Sequence, residues 1–249
     1  MDMSDNTLLE VKNISKSYPD LHTLEDISLK LGKNQFTSVL GPSGCGKSTV
    51  FNIISGLELP DMGTVLINGK DFNGKTGKIS YMHQKDLLLP WKNILDNVCL
   101  PLFIKGAGLE EAHRKAIEYF PDFGLEGFEK KFPYQLSGGM RQRTALLRTY
   151  LFADDIMLLD EPFGSLDAIT RWKMQGWLLG LFEKLDASIL FITHDIDEAI
   201  FLSDRIYLLS RRPAVVRNIF DIDIERPRNE KILTSARFNR LKEEILKLL

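Results

Sequence analysis

The sequence predicts an α/β fold, in which a parallel sheet flanked by helices is joined by a smaller antiparallel sheet and interrupted by a helical insertion. Three observations predict it. First, "FTSVLG", "IMLLD" and "SILFIT" are short unbroken apolar runs ending in Gly, Asp or Thr-His, the texture of strands buried on both faces. Second, "LLEVKNI" (8–14), "ISLKL" (27–31) and "TVLING" (64–69) alternate apolar and polar residues, as strands of a half-exposed antiparallel sheet do. Third, the texture turns helical between about residues 92 and 155, with "EEAHRKAIEYF" amphipathic and "FPYQLSGG" breaking the run with Pro and Gly. In the last segment, "TSARFNRLKEEILKLL", helical spacing places Phe238, Leu241, Ile245 and Leu248 on one face.

Composition narrows the function. The 249 residues suit one large domain or two small ones, and 44% hydrophobic residues is enough to bury a full core. Lys and Arg number 32 against 34 Asp and Glu, a net charge of -2, so no global positive field favours a nucleic-acid partner. Two cysteines, Cys45 and Cys99, are too few for a disulfide framework, and a reducing compartment is expected. The N-terminal stretch has no signal-peptide pattern, and no apolar run approaches the ~18 residues of a membrane span. Any membrane role is expected to come through a partner.

Four stretches carry chemistry. "GPSGCGKST" (Gly41, Pro42, Ser43, Gly44, Cys45, Gly46, Lys47, Ser48, Thr49) follows a buried-strand pattern and precedes a helix-like run. Its glycines let backbone N–H groups curl around phosphates at a helix N-terminus, Lys47 reaches β and γ oxygens, and Ser48 offers a hydroxyl to Mg²⁺. This stretch implies binding of a nucleoside triphosphate. "IMLLDEP" ends a buried strand with Asp160, placed to face Mg²⁺ through its water shell, and Glu161, placed to orient and polarise an attacking water; taken alone, two such acids also suit a solvated loop or a helix cap. "SILFITHD" delivers His194 at another strand end, where a lone histidine is more often a hydrogen-bonded surface or core residue than a catalytic one. "LSGGMRQR" offers a second anion site, Ser137 with the Gly138 and Gly139 amides at a helix start, although a Ser N-cap on a glycine turn predicts the same local structure.

In the order Tyr18, "GPSGCGKST", Gln84, "LSGGMRQR", "IMLLDEP", "GSLD", "ITHD", from about residue 8 to 215, the chain resembles the ATP-binding subunit of ABC transporters. The resemblance implies a P-loop NTPase (RecA-like) core with an antiparallel β subdomain and an inserted α-helical subdomain. It implies an ATP-binding domain over 7–220, with the helical insertion near 86–155, and a short helical extension over 221–249. It also explains the second anion site. Two copies are expected to pack head to tail when ATP is bound, Ser137, Gly138 and Gly139 of one closing over the γ-phosphate held by the other. By the same resemblance Tyr18 stacks on adenine, Gln84 approaches Mg²⁺ and the attacking water, Asp167 of "GSLD" crosses the dimer seam, and His194 bonds the γ-phosphate and steadies the water beside Glu161.

The stretch "KDLLLPWKNILDNV" sets Leu87, Leu88, Leu89 and Trp91 around Pro90, either as core of the helical subdomain or as an exposed groove for a partner helix. In the family this surface receives a helix of the integral-membrane permease. "LLPW" followed by "NILDNV", together with "THDIDEAIFLSDRIYLLSRRPAVV", is most similar to importers of nitrate, sulfonate, taurine and related small solutes. The expected location is peripheral, on the cytoplasmic face of the membrane, with a solute-binding protein engaged only indirectly. Two other classes are kept: an exporter motor, and a soluble ABC ATPase, which would call for paired nucleotide domains with a basic linker or a long coiled-coil insertion. Departures from the family pattern are the bulky "TALLRTYL" after "RQR" and His83 at a place more often apolar. The tail is expected to hold one short helix, with no β-barrel regulatory domain of the sugar-importer kind.

Overall fold

The computed structural model describes residues 7–153, 155–185 and 187–249. Along the chain run β1 (Thr7–Tyr18), β2 (Leu21–Gly32), β3 (Phe36–Leu40), α1 (Lys47–Ile54), β4 (Met62–Ile67) and β5 (Lys70–Asp71). Next come β6 (Ile79–Met82), α2 (Ile94–Ile104), α3 (Leu109–Ile117), α4 (Gly138–Phe152), β7 (Ile156–Asp160) and α5 (Ala168–Phe182). The chain closes with β8 (Ser188–Thr193), α6 (Ile196–Leu202), β9 (Arg205–Leu209), β10 (Val216–Asp221) and α7 (Ala236–Leu246). These elements form two compact units, one of residues 7–77 with 187–249 and the other Lys78–Leu185.

The first unit holds the two sheet types expected. The antiparallel sheet has the order β2-β1-β4-β5, with β1 and β2 forming a hairpin that closes at Tyr18 and Leu21. In β2, Ile27, Leu29 and Leu31 are buried while Ser28 and Lys30 face solvent, the alternation of a sheet covered on one side. The second sheet runs β10-β9-β3-β8, with β3 parallel to both β8 and β9. Every residue of β3 and β8 is buried, so both faces of this sheet are covered, α6 packing on β3 and β8 and strand β2 also meeting β8.

The C-terminal segment docks on the same unit. Ser235 caps α7 by accepting from the Phe238 amide at 3.2 Å, and Phe238, Leu241 and Ile245 are the buried face. Each such side chain contributes roughly 1.5–3 kcal/mol of burial. Leu248 lies beyond the helix end and is only half-buried. Lys242 bonds Asp197 of α6 at 2.7 Å and fixes the crossing of the two helices.

In the second unit β6 and β7 pair in parallel, Tyr81 beside Leu158 and Met82 beside Leu159. The helix α4 packs against α2 and against β6. Its bulky sequence is accommodated in two ways. Leu146, Leu147 and Leu151 point inward, and the Thr144 and Thr149 hydroxyls donate to the carbonyls of Met140 and Ala145 one turn earlier. Trp177 of α5 meets Phe123 edge-on at 5.7 Å and carries the Arg143 guanidinium over its ring at 4.8 Å.

Candidate nucleotide site

The phosphate loop runs from the buried end of β3 into α1. Gly44 and Gly46 have φ of +74° and +123°, conformations closed to ordinary L-residues. A Cβ on Gly46 would also sit 2.8 Å from Leu24 Cδ2 of β2, so both strain and space demand glycine there. Gly46 caps α1 with no side-chain hydrogen bond, which leaves the first-turn amides directed at an anion position. Lys47 is buried, its ammonium donating to the Gly41 and Pro42 carbonyls at 2.8 and 3.0 Å, so the charge is held over the loop. Ser48 is exposed beside it, and Thr49 is half-buried. Burial pushes the Cys45 thiol above its ordinary range, which keeps it a neutral packing group against Gly41. An open pocket of about 360 Å³ adjoins the loop, lined by Pro42, Ser43, Gly44, Cys45, Arg211 and Arg212. The two arginines add positive charge that motif reading does not find.

Tyr18 closes β1 with 39% of its surface exposed, a ring face available to a base. His194 emerges from the wholly buried β8 and is itself exposed. Its turn is pinned on both sides: Thr193 Oγ1 donates to Glu198 and accepts from the Asp195 amide at 3.0 Å, while Asp195 caps α6 at the Glu198 amide, 3.0 Å away. The histidine therefore stands on a rigid base.

The acid pair belongs to the second unit. β7 is buried throughout and ends at Asp160, which is 7% exposed. Tyr81 of β6 donates its hydroxyl to Asp160 Oδ2 at 3.1 Å. Glu161 follows with φ +43°, left-handed backbone that a non-glycine residue adopts at a cost of about 1–3 kcal/mol. That turn is closed by the Gly164 amide donating to the Glu161 carbonyl at 3.1 Å, and Gln84 Nε2 stands 3.4 Å from Glu161 Oε2. A strained acid at a strand end is a feature of positioned reactive groups, and no spacing rule announces it.

Ser137 caps α4, accepting from the Met140 amide at 3.3 Å, and Gly138 and Gly139 form the first turn. A Cβ on Gly139 would meet Thr170 Cγ2 at 3.3 Å, a tight fit against α5. Asp167 caps α5 by accepting from the Thr170 amide at 3.0 Å, and that bond holds its carboxyl below the usual range. Both residues thus have a local capping role in this fold.

The Leu87–Trp91 stretch divides between the two readings left open. Leu88 is buried, whereas Leu87 and Trp91 are 53% and 72% exposed. The loop is held from below by Asn97 of α2, fully buried, whose amide oxygen accepts from the Leu89 amide at 2.7 Å. Its Nδ2 donates to the Leu89, Lys92 and Asn93 carbonyls. Arg148 of α4 donates to the Asp86 and Leu87 carbonyls at 2.6 and 2.9 Å. Asn97→Ala is expected to lower stability by about 2 kcal/mol through these orphaned groups, and to speed hydrogen exchange at the Leu89 amide by at least about tenfold; urea unfolding and exchange measurements check both.

Among the described residues no helix is long and apolar enough to cross a membrane, and no cluster of three or more His, Cys, Asp or Glu could hold a metal by itself.

Residues 24–164 match the ABC transporter family. The chain is 44% identical to the formylaminopyrimidine import ATP-binding protein ThiZ of Halalkalibacterium halodurans, over 83% of this chain and 81% of that one. It is 38% identical to the aliphatic sulfonates import ATP-binding protein SsuB of Bacillus thuringiensis subsp. konkukian, over 94% and 91% of the two chains. Identity to the taurine import ATP-binding protein TauB of Rhizobium johnstonii is 40%, over 92% and 89%. Among solved structures, a dimeric bacterial ABC transporter cassette superposes with a TM-score of 0.75 at 32% identity, covering 88% of this chain and all of that one. A post-hydrolysis state of that cassette with ADP and Pi gives 0.74 at 30% identity and the same coverage. A phosphate loop on α1, paired acids closing β7 and a signature turn opening α4, together with these likenesses, lead to one conclusion: the chain belongs to the ABC transporter family, as one of its ATP-hydrolysing cassettes.

Proposed function

We propose that the chain is the motor subunit of an importer for small solutes of the sulfonate, taurine or formylaminopyrimidine kind, working on a separate membrane permease. The observation that carries the chemistry is Glu161, an acid held in left-handed backbone immediately after a buried strand, with Gln84 beside its carboxylate. In this reading Tyr18 stacks on adenine, the loop from Gly41 to Thr49 receives the phosphates, and Lys47 neutralises the β and γ oxygens. Glu161 accepts the proton of the attacking water, which His194 and Gln84 orient.

The groups proposed to hold Mg²⁺ are the Ser48 hydroxyl and the Gln84 amide oxygen directly and the Asp160 carboxylate through the ion's water shell, all hard oxygen groups of the kind that ion prefers. Mg²⁺ binds characteristically through one or two carboxylates plus substrate phosphates, which fits a chain whose described residues show no all-protein cage. Once bound, the ion would offset charge on the phosphate oxygens.

Two copies close head to tail on two ATP molecules, Ser137, Gly138 and Gly139 of each facing the other's γ-phosphate and Asp167 lying at the seam; the dimeric cassette among the solved relatives supports this. Hydrolysis removes the bridging charge and lets the copies part. Leu87 and Trp91, exposed on a loop braced by Asn97 and Arg148, form the surface proposed to receive the permease. The import direction rests on the relatives' names. The test is isolation of the tagged chain from membranes. A co-purifying importer permease, released by Trp91→Glu while ATPase activity persists, is the expected result; recovery with an exporter, or with no membrane protein, would overturn the reading.

A further inference from the structure

We infer that Tyr81 is a positioning residue for Asp160, and that His83 holds Tyr81 in the pose that makes it so. Neither residue has a role in the motifs, and His83 stands where an apolar residue is more usual. The inference rests on the proposed reading of Asp160 as the carboxylate facing the metal's water shell.

The topology creates the contact. β6 and β7 are parallel neighbours with Tyr81 beside Leu158. Side chains alternate faces along a strand, so Leu158 and Asp160 share a face, and Tyr81 shares it with them. From two positions back in the register, the phenol reaches forward to Asp160 Oδ2 at 3.1 Å. The torsion that rotates a carboxylate is broad and weakly restrained, so a fixed donor on one oxygen biases which way the group points. The tyrosine ring is itself held: the His83 ring lies 4.0 Å away, centroid to centroid, inclined by 31°. Gln84, whose amide stands 3.4 Å from Glu161 Oε2, follows His83 directly in the chain.

The consequence is specific to metal rather than to nucleotide. Groups that orient a metal-facing carboxylate cost about 10–100-fold in metal affinity when removed. The test compares wild type, Tyr81→Phe, His83→Phe, His83→Ala and Asp160→Asn, using Mn²⁺ as the probe. Binding of Mn²⁺ to the ATP-loaded protein is followed by electron paramagnetic resonance, and binding of ATP in excess EDTA by fluorescence quenching. For Tyr81→Phe, Mn²⁺ affinity is expected to fall about tenfold, with metal-free ATP affinity and melting temperature unchanged. His83→Phe, which keeps a flat ring against Tyr81, should retain the wild-type value, and His83→Ala should fall between. Wild-type Mn²⁺ affinity in Tyr81→Phe, with Asp160→Asn weakened, would overturn the inference while leaving the site reading intact. If Asp160→Asn also bound Mn²⁺ like wild type, the reading of Asp160 itself would be wrong.

Discussion

Glu161→Gln should bind ATP within about threefold of the wild-type affinity, lose about 10²–10³-fold in kcat, and collect as an ATP-dependent dimer. The reasoning starts from the isosteric change. An amide has nearly the shape of the carboxylate and can still accept from Gln84 Nε2, so the strained turn at φ +43° and its closure by Gly164 have no cause to shift. What disappears is the carboxylate lone pair proposed to take the water's proton. Positioned general bases typically contribute 10²–10⁴-fold, so the lower middle of that range is expected with the roles proposed for the phosphate loop and His194 left in place. With cleavage blocked, the proposed head-to-tail pairing should be held by its two nucleotides, and gel filtration with and without ATP should show a dimer and a monomer. Full turnover by this variant would remove Glu161 from its assigned role.

The second large effect is structural. Arg228→Met should lower stability by about 3 kcal/mol, and the melting temperature by roughly 6–12 °C for a chain of this size. The Arg228 side chain is almost wholly buried, yet it is not there chiefly as a charge partner: Asp204 is 4.0 Å away. Its guanidinium donates to the carbonyls of Ile200, Phe201 and Ser203 at 3.1, 3.0 and 2.8 Å, and to Ile224 at 3.0 and 2.9 Å. Ile200 and Phe201 lie in the last turn of α6, where carbonyls have no partner within the helix, so Arg228 works as a buried C-terminal cap. Burial brings the guanidinium down to about 10, still protonated at neutral pH. Methionine keeps much of the volume and leaves the three buried carbonyls of Ile200, Phe201 and Ser203 short of a donor, each costing on the order of 1 kcal/mol, with the part-buried Ile224 carbonyl open to water. Thermal unfolding by circular dichroism measures the shift; a fall of less than about 2 °C would show that these carbonyls find other partners. Because α6 begins two residues after His194, ATPase activity in the variant should also fail at a lower temperature than in wild type.

The motif residues were legible because each depends on near neighbours in the chain. The strand β3, the glycines of the phosphate loop and Lys47 at the start of α1 are contiguous, and hydrophobic texture marks where the strand stops. The same holds for Asp160 at the end of β7 and for Ser137 before α4. Leu87 to Trp91 were legible only as an ambiguity: adjacent apolar residues in a loop point in different directions, and burial of Leu88 beside exposure of Leu87 is set by the backbone turn at Leu87, φ +46°.

What the sequence by itself determined, then, is the class of fold, the order of its elements and the family motifs, since periods of two and 3.6 residues and the run of a glycine-rich turn are properties of a few consecutive residues. Tertiary structure alone decided that Tyr81 would meet Asp160 across 79 positions, that Arg228 would cap α6 from more than 25 residues away, and that Glu161 would sit in strained backbone. Hydrogen bonds are directional and short, so which distant donor satisfies a buried acceptor depends on strand order and register, and neither is written in any local pattern.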